Sequence, residues 1–226
     1  MAHSKRFSSF VLLFISILAV STAAILIRLV NDQVSALVIA AYRLGLSACL
    51  SALIYFGSRH GQAKPNKRQF IWMAFSGAFL AAHFAAWISS LEYISVSSSV
   101  ILVTTTPLWV ALLSPLVLKE KVSPGFYLGM LFALLGGVVI AFSGPCKLSG
   151  SGLACAGKML DGSPETLRGM LLALAGAWMA SGYMLIGRKI RAETDNSQYT
   201  LVVYAFAALI LILTAVFRGE KLYGYS

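Results

Sequence analysis

Residues 89–124 read SSLEYISVSSSVILVTTTPLWVALLSPLVLKEKVSP. Their middle, 96–118, is a run of apolar and small residues, long enough to cross a hydrocarbon core of about 30 Å as a helix. Pro107 stands inside it. A proline there removes one backbone donor, and its ring meets the carbonyl four residues back, that of Val103. Thr104, Thr105 and Thr106 precede it, and their hydroxyls can bond the loosened backbone. Pro115 follows, and the run stops at Lys119-Glu120-Lys121. The stretch predicts a membrane-spanning helix with a flexible point at Thr106–Pro107.

The rest of the chain is of the same kind. Of its 226 residues 58% are hydrophobic and 12% charged, with a mean hydropathy of +0.81. That is about half the charged share of a soluble domain. A water-soluble fold could not hide so much apolar surface. The net charge of +10 would suggest nucleic acid in a soluble protein. Here the basic residues fall in short gaps between apolar runs, and no basic stripe carries interleaved aromatics, so nucleic acid is not expected as a partner. Seven runs are long enough to span: 10–30, 34–57, 70–91, 96–118, 123–143, 167–186 and 198–217. A lipid-exposed segment must satisfy its own backbone, so all seven are read as helices. The first is too long for a signal-peptide core, and no small-residue cleavage site follows it.

Orientation comes from the gaps. Eleven of the eighteen Lys and Arg fall on one side and five on the other; Arg28 and Arg43 lie inside runs. The richer side should be cytoplasmic, and with it the N-terminus and residues 58–69 and 188–197. Residues 144–166 should then form an outer loop. Cys146 and Cys155 share that loop and could close a disulfide in an oxidising compartment. Cys49 is read as a small apolar filler. No Cys/His cluster has metal-ligand spacing, so neither a metal nor a cofactor is expected.

Small residues recur every four positions in two runs: Gly77, Ala81, Ala85 and Ser89, and Gly125, Gly129, Ala133, Gly137 and Ala141. Such ridges let helix backbones approach closely. A weak internal repeat is also visible. STAAILIR (21–28) aligns with SGYMLIGR (181–188), and SALVIAAY (35–42) with SQYTLVVY (197–204). A first unit of five helices makes the second start from the opposite face, the inverted-repeat logic of many secondary transporters.

The stretch 89–124 resembles the EamA type of the drug/metabolite transporter superfamily. The resemblance rests on Thr106, Pro107, Glu120, Lys121 and Ser123, and on HFAAWISSLEYIS over 83–95. It implies a five-plus-five inverted repeat. Residues 10–143 would be the first unit and 167–226 a partial second unit of two helices, three short of the repeat. Residues 1–226 alone are therefore expected not to transport, and roughly 70 more residues would complete the unit by analogy with the first. The fold class is thus an all-α integral membrane bundle, with the second repeat truncated.

Several residues could carry chemistry. Arg43 lies about 13 Å inside its run, at 1.5 Å per residue, and such a charge usually faces a cavity or a partner. It could instead lock helices together. His83 can titrate near neutrality, and Trp87 lies one turn on, on the same face; an interhelical hydrogen bond is the plainer reading of this His. Thr106 and Pro107 mark the flexible point. Trp109, Trp178 and Tyr183 lie inside runs, where they line a cavity or simply pack. Glu92 could pair with Arg28 or Arg43. Enzyme signatures such as GxSxG, HExxH or a P-loop are absent.

The expectation is a secondary-active transporter of the cell membrane. It would export a small metabolite, amino acid or drug by alternating access, with membrane lipid around it and a homodimer as one assembly. A non-transporting scaffold or inactive partial copy is the alternative. The sequence leaves the solute, the direction and the coupling ion open.

Overall fold

Polar side chains at the gaps start most of the helices. The structure, a computed structural model, describes residues 2–30, 33–57, 64–120, 122–143, 146–149, 152–155 and 163–224. Its helices are α1 (Ala2–Val30), α2 (Ala36–Gly57), α3 (Lys67–Tyr93), α4 (Val96–Val103), α5 (Thr106–Val117), α6 (Pro124–Ser143), α7 (Pro164–Ile190) and α8 (Asn196–Phe217). Asn66 and Gln69 form a reciprocal capping box at α3, with bonds of 2.8 and 2.9 Å. Ser95 caps α4, Ser163 caps α7 ahead of Pro164, and Asp195 caps α8. Each cap accepts from backbone donors that a helix start leaves unpaired.

Among the described residues, six spans are long and apolar enough to cross a bilayer: Phe10–Val30, Ala36–Gly57, Lys67–Tyr93, Val96–Val117, Pro164–Ile190 and Asn196–Phe217. The seventh expected span, α6, is apolar over the shorter length Pro124–Gly137 among the described residues. The protein is therefore a multi-spanning helical membrane protein. Its outer surface is apolar, with Phe14, Leu46, Leu116 and Phe132 all strongly exposed, as lipid contact requires.

The fourth span is broken at Thr104–Thr105, two residues before the expected point Thr106–Pro107. Helix α4 ends at Val103 and α5 begins at Thr106, with Pro107 in its first turn. The threonine hydroxyls each bond the carbonyl three residues back, across the break. Thr104 donates to Ile101 at 2.9 Å, Thr105 to Leu102 at 2.6 Å and Thr106 to Val103 at 2.7 Å. The Val103 carbonyl is the one that proline leaves without its amide.

The core is a sandwich of α3 with α7 and α8, and of α2 with α8. Small residues allow the close approach. A Cβ on Gly77 would lie 2.8 Å from the Val203 carbonyl oxygen of α8, and one on Gly169 would lie 2.7 Å from the Tyr93 Cβ. The second expected ridge, on α6, packs differently. Gly125 and Gly129 meet nothing within 4 Å, and Gly137 reaches Ile101 of α4. A cavity of about 410 Å³ instead separates α6 from the break, lined by Thr104, Thr105, Pro107, Gly129, Ala133 and Gly137 among others.

The two ends of the bundle sort as the gaps suggest. At one end Arg188 pairs with Glu120 at 2.5 Å, and Gln69 donates to Glu193 at 3.5 Å. At the other, a pocket of about 250 Å³ gathers Ser35, Glu92, Arg168, Arg218 and Glu220. Glu92 thus shares its surroundings with Arg168 and Arg218. Arg28, the expected partner, does not line this pocket. In the loop, strands β1 (Cys146–Ser149) and β2 (Gly152–Cys155) pair antiparallel, with Cys146 opposite Cys155.

Candidate functional site

Arg43 is the eighth residue of α2, about 10 Å below the start of that helix. Its guanidinium lies over two aromatic rings of α3. The carbon Cζ is 5.1 Å from the Phe84 ring centre and 5.6 Å from that of Trp87. Among the described residues, no acceptor lies within hydrogen-bond distance of the buried Arg43 Nη1, and none within reach of the buried Trp87 Nε1. Trp87 as a whole is 7% exposed.

Helix α7 completes the cluster. His83 Nδ1 donates to the Gly176 carbonyl at 2.8 Å. A carbonyl only accepts, so Nδ1 carries the hydrogen and Nε2 is the basic nitrogen of the neutral ring. The His83 and Trp87 rings, one turn apart, lie nearly parallel at 9° and 6.0 Å. Gly176 permits this approach, since a Cβ there would sit 3.3 Å from the Trp87 amide nitrogen and 3.4 Å from its Cβ.

The energetics of this cluster are uneven. A charged side chain at the centre of a span costs about 2.5–3.5 kcal/mol on insertion scales. Each desolvated cation–ring contact offsets about 0.5–2 kcal/mol of it. A buried donor without an acceptor costs a further 1–3 kcal/mol, roughly, and this cluster holds two. The rings stabilise the charge and leave its hydrogen-bonding capacity open.

The other expected residues gather in two further places. Thr106 and Ser181 join the break to α7: Ser181 Oγ donates to the Thr106 carbonyl at 3.3 Å and to that of Ala177 at 2.8 Å. Trp109 Nε1 donates to Thr105 Oγ1 at 3.1 Å, and its ring meets Trp178 edge-on at 5.2 Å. Trp178 is half exposed on the outer side of that pair. Pro107 is exposed beside the α6 cavity. Tyr183, two residues beyond Ser181 on α7, belongs to a third group. There its carbonyl accepts from Ser76 Oγ at 3.4 Å, while Ser76 and Tyr199 share a 2.5 Å hydroxyl contact.

Arg43, His83 and Trp87 therefore meet, whereas Thr106, Pro107, Trp109 and Trp178 form a separate group at the break. Phe84 and Gly176 are the members that sequence reasoning missed. Phe84 carried a signal, being adjacent to His83 and three residues before Trp87 on one helix. Gly176 belongs to a seam of small residues on α7 with Gly169, Ala173, Ala177 and Ala180, which periodicity alone would have revealed.

Comparison with known proteins follows the same lines. The EamA-like transporter family matches residues 7–142. The "Uncharacterized transporter YetK" of Bacillus subtilis (strain 168) is 22% identical over 225 residues, which are 98% of this chain and 64% of YetK. A solved structure described as "Crystal structure of protein" superposes with a TM-score of 0.61 at 20% identity, covering 88% of this chain and 61% of that one. The chain thus spans somewhat under two thirds of either, and the superposition bears on fold.

Proposed function

The chain belongs to the EamA-like transporter family, and from that premise we propose that the full protein moves a small organic solute across the cell membrane by alternating access. The observation that carries this reading is Arg43, a mid-span cation set against Phe84 and Trp87 with donors to spare. Charges at that depth usually mark a solute or ion path. His83, bound to α7 and stacked on Trp87, would line the same path. The Thr104–Thr105 break would be the flexible point, with the cavity beside it giving α4 and α5 room to shift. Trp109 and Trp178 would couple that shift to α7, and Tyr183 would line the inner end. Helices α2 and α8 start at opposite ends of the bundle and pack together, an arrangement that favours an inverted repeat about their contact.

The basic asymmetry supports a cytoplasmic N-terminus. With no nucleotide-binding motif in the sequence, a gradient or exchange would supply the energy, and the likeness to a protein named as a transporter supports carriage over a scaffold role. Efflux from cells expressing the full protein tests the proposal, screened across amino acids, nucleosides and cationic drugs. The expected result is saturable, gradient-dependent movement of one solute class. A failure to alter any flux, with the protein inserted at normal levels, would favour the scaffold.

A further inference from the structure

We infer that Arg43 and Trp87 form the seat for a carboxylate borne by the solute. The inference rests on the solute-path reading above and adds the chemical class of what binds. Three observations carry it. The first is charge balance. The described acidic residues are Glu92, Glu120, Glu165, Glu193, Asp195 and Glu220; each lies in a gap or within the end turns of a helix. Among the described residues Arg43 is the one Lys or Arg placed well inside a span, and no carboxylate stands at its depth.

The second is the pair of open donors. Arg43 Nη1 and Trp87 Nε1 are both buried and, among the described residues, both lack an acceptor. They stand within one cluster, with Arg43 Cζ 5.6 Å from the Trp87 ring. The shortage is of acceptors, which a carboxylate supplies without adding a donor of its own, and a guanidinium fork matches its geometry. A cationic solute would meet repulsion here. A lipid phosphate shares the charge but not the position, because the cluster sits about a turn and a half or more inside the helix. The third observation is the apolar wall. Phe84 and Trp87 flank the guanidinium, so the group next to the carboxylate would lie against aromatic surface.

The test is binding to purified full protein, read as thermal stabilisation. Probes come as carboxylate, amide and amine forms of the same skeletons: propionate, benzoate and 3-phenylpropionate with their amides and amines. The expected result is at least one skeleton whose carboxylate binds ten-fold or more tightly than its amide and amine. In R43Q that ratio should fall to near one; in R43K and W87F it should be reduced several-fold. The ratio is taken within each variant, so a general loss of stability leaves it unmoved. Amines binding as well as carboxylates, a ratio unchanged in R43Q, or no stabilisation by any carboxylate would each overturn the inference. Selective carboxylate binding without flux would defeat the transport reading and leave the seat standing. Flux of a cation that R43Q leaves intact would do the reverse.

Discussion

Gly77 faces α8 so closely that its missing Cβ is a packing requirement. An added methyl would lie 2.8 Å from both the Val203 carbonyl oxygen and the Phe206 Cβ, and backbone atoms cannot move aside independently. Gly77→Ala should therefore lower stability by about 1–3 kcal/mol, the usual cost of overpacking. Gly45, by contrast, meets nothing within 4 Å, and Gly45→Ala should be neutral or stabilising by up to about 1 kcal/mol through helix propensity. Melting temperatures of the two variants in one detergent check the pair; equal shifts would contradict the packing account. Asp195 offers a pH test outside the membrane. Bonds from the Ser197 hydroxyl, then from the Ser197 and Gln198 amides, hold its carboxyl below the ordinary value. Its folded pKa is depressed, so its contribution is present above the unfolded value of about 3.9 and is lost as pH falls through the folded value. Asp195→Ala should melt earlier than wild type at pH 7, and the gap should close as pH falls through the depressed folded value. A gap that persists unchanged at low pH would show that the charge on this cap contributes nothing.

At the scale of elements, the fourth span shows what a sequence can announce. Proline chemistry and three hydroxyls located the break to within two residues, because both act on the chain's own nearby carbonyls. The helix ranges were legible for the same local reason, as apolar length and capping residues are properties of consecutive positions. Partners were not. Glu92 joins Arg168 and Arg218, and the α6 ridge faces a cavity, because which helices become neighbours is decided across the bundle. The stacking of His83 on Trp87 was readable at one-turn spacing, whereas the Gly176 carbonyl beneath it was not. Pro107→Ala should let residue 107 donate to the Val103 carbonyl again, giving a straighter span that is more stable and slower in transport. Unchanged flux with raised stability would remove the break from the mechanism. In the loop between α6 and α7, the register that sets Cys146 opposite Cys155 favours a disulfide in native protein. Non-reducing mass spectrometry checks it, and two free thiols would contradict it.

For the whole molecule, the orientation and the path remain proposals with sharp tests. A cysteine placed at Lys64 should resist an impermeant reagent applied to intact cells, while one at Glu220 should react; the opposite pattern would invert the topology. The path itself rests on Arg43. Solute flux by the full protein, measured for wild type, Arg43→Ala and His83→Ala at matched membrane insertion, reaches that claim most directly. Arg43→Ala should lower flux ten-fold or more while insertion is preserved. If both variants carry solute at the wild-type rate, the path lies elsewhere.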